Sequence, residues 1–92
     1  MTAADVRAVL LRELHRIAPE VRPETLDPRL PLRDQVDIDS MDFLNFLIAA
    51  RRELGVDVPE ADYGRLRTLD ACVEYFTSRR PHAEPAAQPD RK

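Results

Sequence analysis

Apolar positions along this chain gather into three runs with helical spacing, separated by proline-rich ground. In the first, Val6, Val9, Leu10, Leu14 and Ile17 recur every three or four residues and predict an amphipathic helix over residues 3–18. Thr2 followed by Asp5 reads as a capping box, with Asp in place of the more usual Glu. Arg7, Arg12, Glu13 and Arg16 read as lying off the stripe, and Pro19 closes the helix. The second run predicts a helix from Asp39 or Ser40 to Leu54, with Gly55 just past its end, where left-handed backbone is needed. Asp39 suits the cap, and Asp42 in the first turn with Arg51 and Arg52 in the last complement the helix dipole. The third run opens at Thr68 as cap, with Asp70 in its first turn, and turns Leu69, Cys72, Val73 and Phe76 inward.

The second helix carries two apolar rows. Phe43, Phe46, Leu47, Ala50 and Leu54 have the spacing of a core face. Met41, Leu44 and Ile48 form another row beside it. In a bundle this small one side of each helix meets water, so the second row is expected to meet a partner.

Pro19, Pro23, Pro28 and Pro31 exclude a continuous helix between residues 19 and 39. So long a connection is expected to pack or to function. Leu26, Leu30, Leu32, Val36 and Ile38 are its candidate anchors, with a short helical turn near Pro31–Gln35. Val56-Asp57-Val58 reads as an extended link. A short helix over Pro59–Tyr63 is then ended by Gly64 and Arg65-Leu66-Arg67. From Pro81 the chain turns to proline, alanine and charge, which predicts a folded domain over 1–80 and a disordered tail over 81–92. The expectation is an all-α fold, a small four-helix bundle of three main helices and one short one with a long first loop.

Ninety-two residues make one small domain with little room for an enclosed catalytic cleft. The net charge of −3 is uneven, since residues 24–76 hold twelve acids against six bases. Such a middle steers basic partners and repels nucleic acid, although the same acids also serve solubility. Cys72 is the single cysteine, so there is no disulfide framework, and on an inward stripe it reads as a small core residue. His15 and His82 lie far apart, which leaves no metal-ligand set. No stretch resembles a signal core or a membrane span, so a cytoplasmic protein is expected. No nucleophile–base or acid–base pair stands at workable spacing, and no catalytic residue is assigned.

Ser40 is the chemically pointed residue. Asp34, Asp37, Asp39 and Asp42 surround it, with Arg33 adjoining. Its hydroxyl reads either as a helix cap or as an attachment point at a helix start, which tolerates phosphate. No His or Lys stands near it in sequence, so self-activation is disfavoured. An unmodified interaction module that binds through Met41, Leu44 and Ile48 is the alternative.

Residues 3–77 resemble an acyl carrier protein. Asp39-Ser40-Met41 is similar to the family's Asp-Ser-Leu attachment motif, flanked by Asp37-Ile38 and Asp42. Leu54-Gly55-Val56-Asp57-Val58-Pro59 resembles its helix exit, and Thr68-Leu69-Asp70-Ala71-Cys72-Val73-Glu74-Tyr75 its last helix. The resemblance implies a 4′-phosphopantetheine arm from coenzyme A on Ser40, installed by a phosphopantetheinyl transferase, with Asp39 helping to hold that enzyme's metal. It implies a non-catalytic, monomeric carrier of thioesters that visits acyl-transferring, synthase or ligase enzymes through Met41, Asp42, Leu44, Asn45 and Ile48. An apolar cleft for the acyl chain is implied at Phe46, Leu47, Tyr63, Leu66, Cys72 and Val73, with bulky Phe46 and Tyr63 suiting a short or aromatic group. Asn45, Arg51 and Arg52 stand where fatty-acid carriers usually have acids, which points to a specialised lipid or polyketide-type pathway.

Overall fold

The computed structural model describes residues 2–79, and the expected tail over 81–92 lies outside them. Four α-helices follow one another: α1 (Ala3–Ile17), the one-turn α2 (Leu32–Gln35), α3 (Ser40–Leu54) and α4 (Leu69–Arg79). Short 3-10 segments cover Pro23–Thr25 and Glu60–Arg65. Among the described residues there is no strand, only an isolated antiparallel bridge between Pro31 and Thr68.

The helix ends fall where capping chemistry puts them. The Asp5 amide donates to Thr2 Oγ1 at 3.2 Å and the Thr2 amide to Asp5 Oδ2 at 2.9 Å, the reciprocal pair of a capping box. The Thr2 amide, with the Thr2 hydroxyl, holds the exposed Asp5 carboxyl below the usual carboxylate range. At the other end of α3, Gly55 takes φ 68°, a left-handed value that a side chain would strain. For α4 the Ala71 amide donates to Thr68 Oγ1 at 3.0 Å.

α1 packs against both α3 and α4. Val6, Leu10 and Leu14 meet Phe46, Leu47, Leu54, Leu69, Cys72 and Phe76 in a core with essentially no exposed surface. Each such side chain contributes about 1.5–3 kcal/mol when fully buried. Cys72 is part of that core: its Sγ donates to the Leu66 carbonyl at 3.4 Å, and burial pushes its thiol up to about 12.

Glu13 corrects the reading of α1. It lies on the buried face, 3% exposed, between Leu10 and Leu14. Helical geometry dictates this, because residue 13 is seven positions from Val6 and three from Leu10. Arg12 and Arg16 reach its carboxylate from outside at 3.3 and 3.8 Å, which offsets the cost of burying it. Arg12 also bridges to Glu53 of α3 at 2.9 Å.

The long connection is anchored by Leu26, Leu32, Val36 and Ile38, but not by Leu30, which is 50% exposed. A polar side chain closes the turn instead. Gln35 accepts from the Asp27 amide at 2.7 Å and donates to the carbonyls of Asp27 and Leu30 at 2.8 and 3.1 Å. Backbone bonds then join the connection to the start of α4. The Leu32 amide donates to the Arg67 carbonyl at 2.8 Å and the Asp70 amide to the Pro28 carbonyl at 2.9 Å.

The short helix near Tyr63 is a 3-10 segment over Glu60–Arg65, so it runs past Gly64 and ends at Arg65. Gly64 has no positive φ there, so nothing in its backbone breaks the turn. Tyr75 is buried as well, a core position additional to the inward stripe read for α4. Its hydroxyl donates to Asp62 Oδ2 at 2.7 Å, while the guanidinium carbons of Arg79 and Arg65 lie 4.0 and 5.6 Å from its ring centre. Burial, with the Asp62 hydrogen bond, pushes that hydroxyl above the usual phenol range.

Candidate functional site

The start of α3 divides its polar duties between neighbouring residues. Asp39, in extended backbone, is the cap: the Asp42 amide donates to Asp39 Oδ1 at 2.8 Å, and the Asp39 amide to Asp42 Oδ2 at 3.3 Å. The Phe43 amide closes the first helical bond onto the Asp39 carbonyl at 3.0 Å. Ser40 is therefore the first helical residue and not the cap. It is exposed, and among the described residues its hydroxyl has no hydrogen-bond partner. The amides of Ser40 and Met41 also lack one, as first-turn amides do when only one side-chain cap is present. Buried Ile38, whose amide donates to the Val36 carbonyl at 2.9 Å, pins the backbone just before them.

Beyond Ser40 the two rows of α3 separate. Phe46, Leu47, Ala50 and Leu54 are buried. Met41 is 61% exposed and Asn45 is exposed, while Asp42, Leu44 and Ile48 are half-buried. Arg51 pairs with Asp57 at 3.3 Å, and Arg52 is exposed.

Of the residues expected to line an acyl cleft, Phe46, Leu47, Leu66 and Cys72 fill the closed core, and Val73 packs half-buried against it. Tyr63 differs. It lines a small recess of about 190 Å³ with Leu47, Ile48, Arg51 and Val58, and a larger cavity of about 500 Å³. The larger cavity is bounded by Pro31, Arg33, Asp34, Ile38, Phe43, Tyr63, Gly64 and Arg67. Ile38 and Phe43 bracket Ser40 in the chain, so this opening adjoins the start of α3. Helical periodicity assigns Phe43 to the core row; its ring lies 6.2 Å from that of Phe46 and forms the boundary between core and cavity. The two arginines come from separate segments and give no local signal in sequence. Among the described residues no group of His, Cys, Asp and Glu is arranged to hold a metal ion.

Comparison with known proteins places this arrangement. Residues 4–76 match the family described as phosphopantetheine attachment site, which is most of the chain. This chain belongs to the acyl carrier protein family. An acyl carrier protein of Thermosynechococcus vestitus is 23% identical over 74 residues, covering 80% of this chain and 85% of that one. The meromycolate extension acyl carrier protein of Mycobacterium tuberculosis is 28% identical over 68 residues, covering 74% of this chain and 59% of that one. The solved structure of an acyl carrier protein from Enterococcus faecalis superposes with a TM-score of 0.68 at 22% identity, covering 86% of this chain and 99% of that one. That likeness supports the all-α carrier fold. No helix among the described residues is long and apolar enough to cross a membrane.

Proposed function

We propose that Ser40 carries a 4′-phosphopantetheine arm and that residues 1–80 form a domain presenting acyl groups, held as thioesters, to partner enzymes. One observation carries this reading: the cap of α3 is Asp39, which leaves the Ser40 hydroxyl exposed and unengaged. A serine held only for helix capping would spend its oxygen on the Asp42 or Phe43 amide.

The residues present fit the group. Ser40 Oγ accepts the phosphate, and the unpartnered amides of Ser40 and Met41 stand at the positive end of the α3 dipole, which favours a phosphodiester. When bound, the arm supplies a terminal thiol for the acyl thioester. No His or Lys stands near Ser40 in the sequence to activate it, so the transferase supplies base and metal ion. Asp39 keeps Oδ2 free while Oδ1 caps the helix, so one exposed oxygen remains for that metal.

Met41, Asp42, Leu44, Asn45 and Ile48 form the surface that partners read. Asn45, Arg51 and Arg52 leave its far end without acids and favour a specialised pathway over general fatty-acid elongation, in a monomeric cytoplasmic carrier. Efficient elongation by a general fatty-acid synthase set would sink that part of the reading.

The primary test is intact mass before and after incubation with coenzyme A, magnesium and a broad-specificity carrier transferase. A gain of one phosphopantetheine group on wild type, absent in Ser40→Ala, supports the carrier. No gain on folded, previously unmodified protein leaves an interaction module built on the exposed Met41 row as the better account.

A further inference from the structure

The cavity beside the start of α3 is more specific than an apolar shelter. Its wall is apolar, formed by Ile38, Phe43 and Tyr63, while its charged rim comes from Arg33, Arg67 and Asp34. Arg12, Arg16, Arg29, Arg51 and Arg65 each have a carboxylate partner; Arg7, Arg22, Arg52 and Arg79 have none among the described residues but line no part of this cavity. The side chains of Arg33 and Arg67 have none among the described residues, nor has Asp34. Two unpaired guanidiniums against one carboxylate leave the rim with one excess positive charge, inside a segment that is otherwise strongly acidic. A guanidinium is a planar donor fork matched to a carboxylate. An apolar wall ending in such donors suits a ligand with an apolar middle and an anionic end.

We propose that the cavity selects acyl groups that end in a second carboxylate, with the chain against Ile38, Phe43 and Tyr63 and the far carboxylate between Arg33 and Arg67. The inference rests on the carrier reading of Ser40. Asp34 opposes the anion and sets the preference lower than the arginines alone would. A methyl-ended chain gains the same wall but leaves both guanidiniums in water.

The experiment compares holo protein, hexanoyl carrier and adipyl carrier, loaded from the corresponding coenzyme A thioesters and checked by intact mass. The two cargoes have equal chain length and differ only at the far end. Readouts are the amide resonances of Ile38, Phe43, Tyr63 and Gly64, the Nε resonances of Arg33 and Arg67, and the rate of thioester cleavage by hydroxylamine. Adipyl cargo is expected to shift these resonances and to slow cleavage about two- to tenfold relative to hexanoyl, the range that two exposed guanidinium–carboxylate contacts support. Salt erodes the difference. The double variant Arg33→Gln/Arg67→Gln abolishes it, and Asp34→Asn enlarges it. Both arginines are exposed, so the double variant keeps the wild-type circular dichroism spectrum.

Equal behaviour of the two cargoes overturns the proposal, as does an unchanged preference in the double variant. Arginine shifts already complete with the bare arm would show that the guanidiniums hold the phosphodiester, and also overturn it. Failure of the mass gain itself is a different result: it removes the carrier reading, and this inference with it.

Discussion

The two rows of α3 are both wholly apolar and meet different fates. Phe46, Leu47, Ala50 and Leu54 are buried in the core that α1 shares with α3 and α4, while Met41 stands in water and Leu44 and Ile48 are half-covered. Hydrophobicity does not separate them; position around the helix does. A row angled toward neighbouring helices gains burial at every turn, and a row displaced around the cylinder has no element of this chain left to meet. One row therefore holds the molecule together and the other is available to meet something else.

Truncation breaks the comparison most sharply. Phe46→Ala should cost roughly 3–5 kcal/mol in urea unfolding, since it empties a closed core. A cost below about 1 kcal/mol would mean that the core is not closed at this point. High pH probes the same core without a cavity. The Cys72 thiol is held neutral up to about 12, whereas in the unfolded chain it ionises near its ordinary value of about 8.5. Its folded pKa is raised, so its contribution is full below about pH 8.5 and is lost as pH rises toward 12. Tyr75 adds to the same alkaline decline. Unfolding monitored from pH 8 to 11 should therefore fall more steeply in wild type than in Cys72→Ala, and parallel slopes would contradict the thiol's role.

At the boundary between the rows, Asp39→Ala should cost about 0.5–2 kcal/mol through the lost cap. Asp39→Asn keeps a capping oxygen and should be nearly neutral for stability, yet slow phosphopantetheinyl transfer. Equal transfer rates in Asp39→Asn and wild type would confine Asp39 to capping. The smallest effect on stability belongs to the outer row. Met41→Ser should change unfolding by no more than about 0.5 kcal/mol while weakening transferase and partner enzyme kinetics.

The three long helices were legible because each carries a local start signal, Thr2, Asp39 and Thr68, ahead of a periodic run. Ser40 was legible as a candidate from its neighbours, and the Asp42 amide on Asp39 shows only that Ser40 is not the cap. The departures have separate physical causes. Glu13 is a charge whose burial depends on Arg12 and Arg16 covering it from exposed positions, so residue type misleads where helical angle does not. Leu30 looked like an anchor, but Gln35 satisfies the backbone of that turn and leaves the leucine outside. Tyr75 is settled inside by Asp62, thirteen residues earlier in the chain. The rim of the cavity was beyond reach for the same reason, because Arg33 and Arg67 are brought together only by tertiary structure.

The pair of main-chain bonds that ties Leu32 to Arg67 and Asp70 to Pro28 bears on how the protein can change over generations. Amide-to-carbonyl bonds do not depend on which side chain a residue bears. The two segments that display Arg33 and Arg67 are thus clasped by carbonyls that every residue has and by amides that every residue except proline has. On the proposed reading of the cavity, substitutions at 33 and 67 change what the opening prefers while the clasp stays shut. Selection could move such a carrier from one cargo to another in single steps, with no unstable ancestor in between.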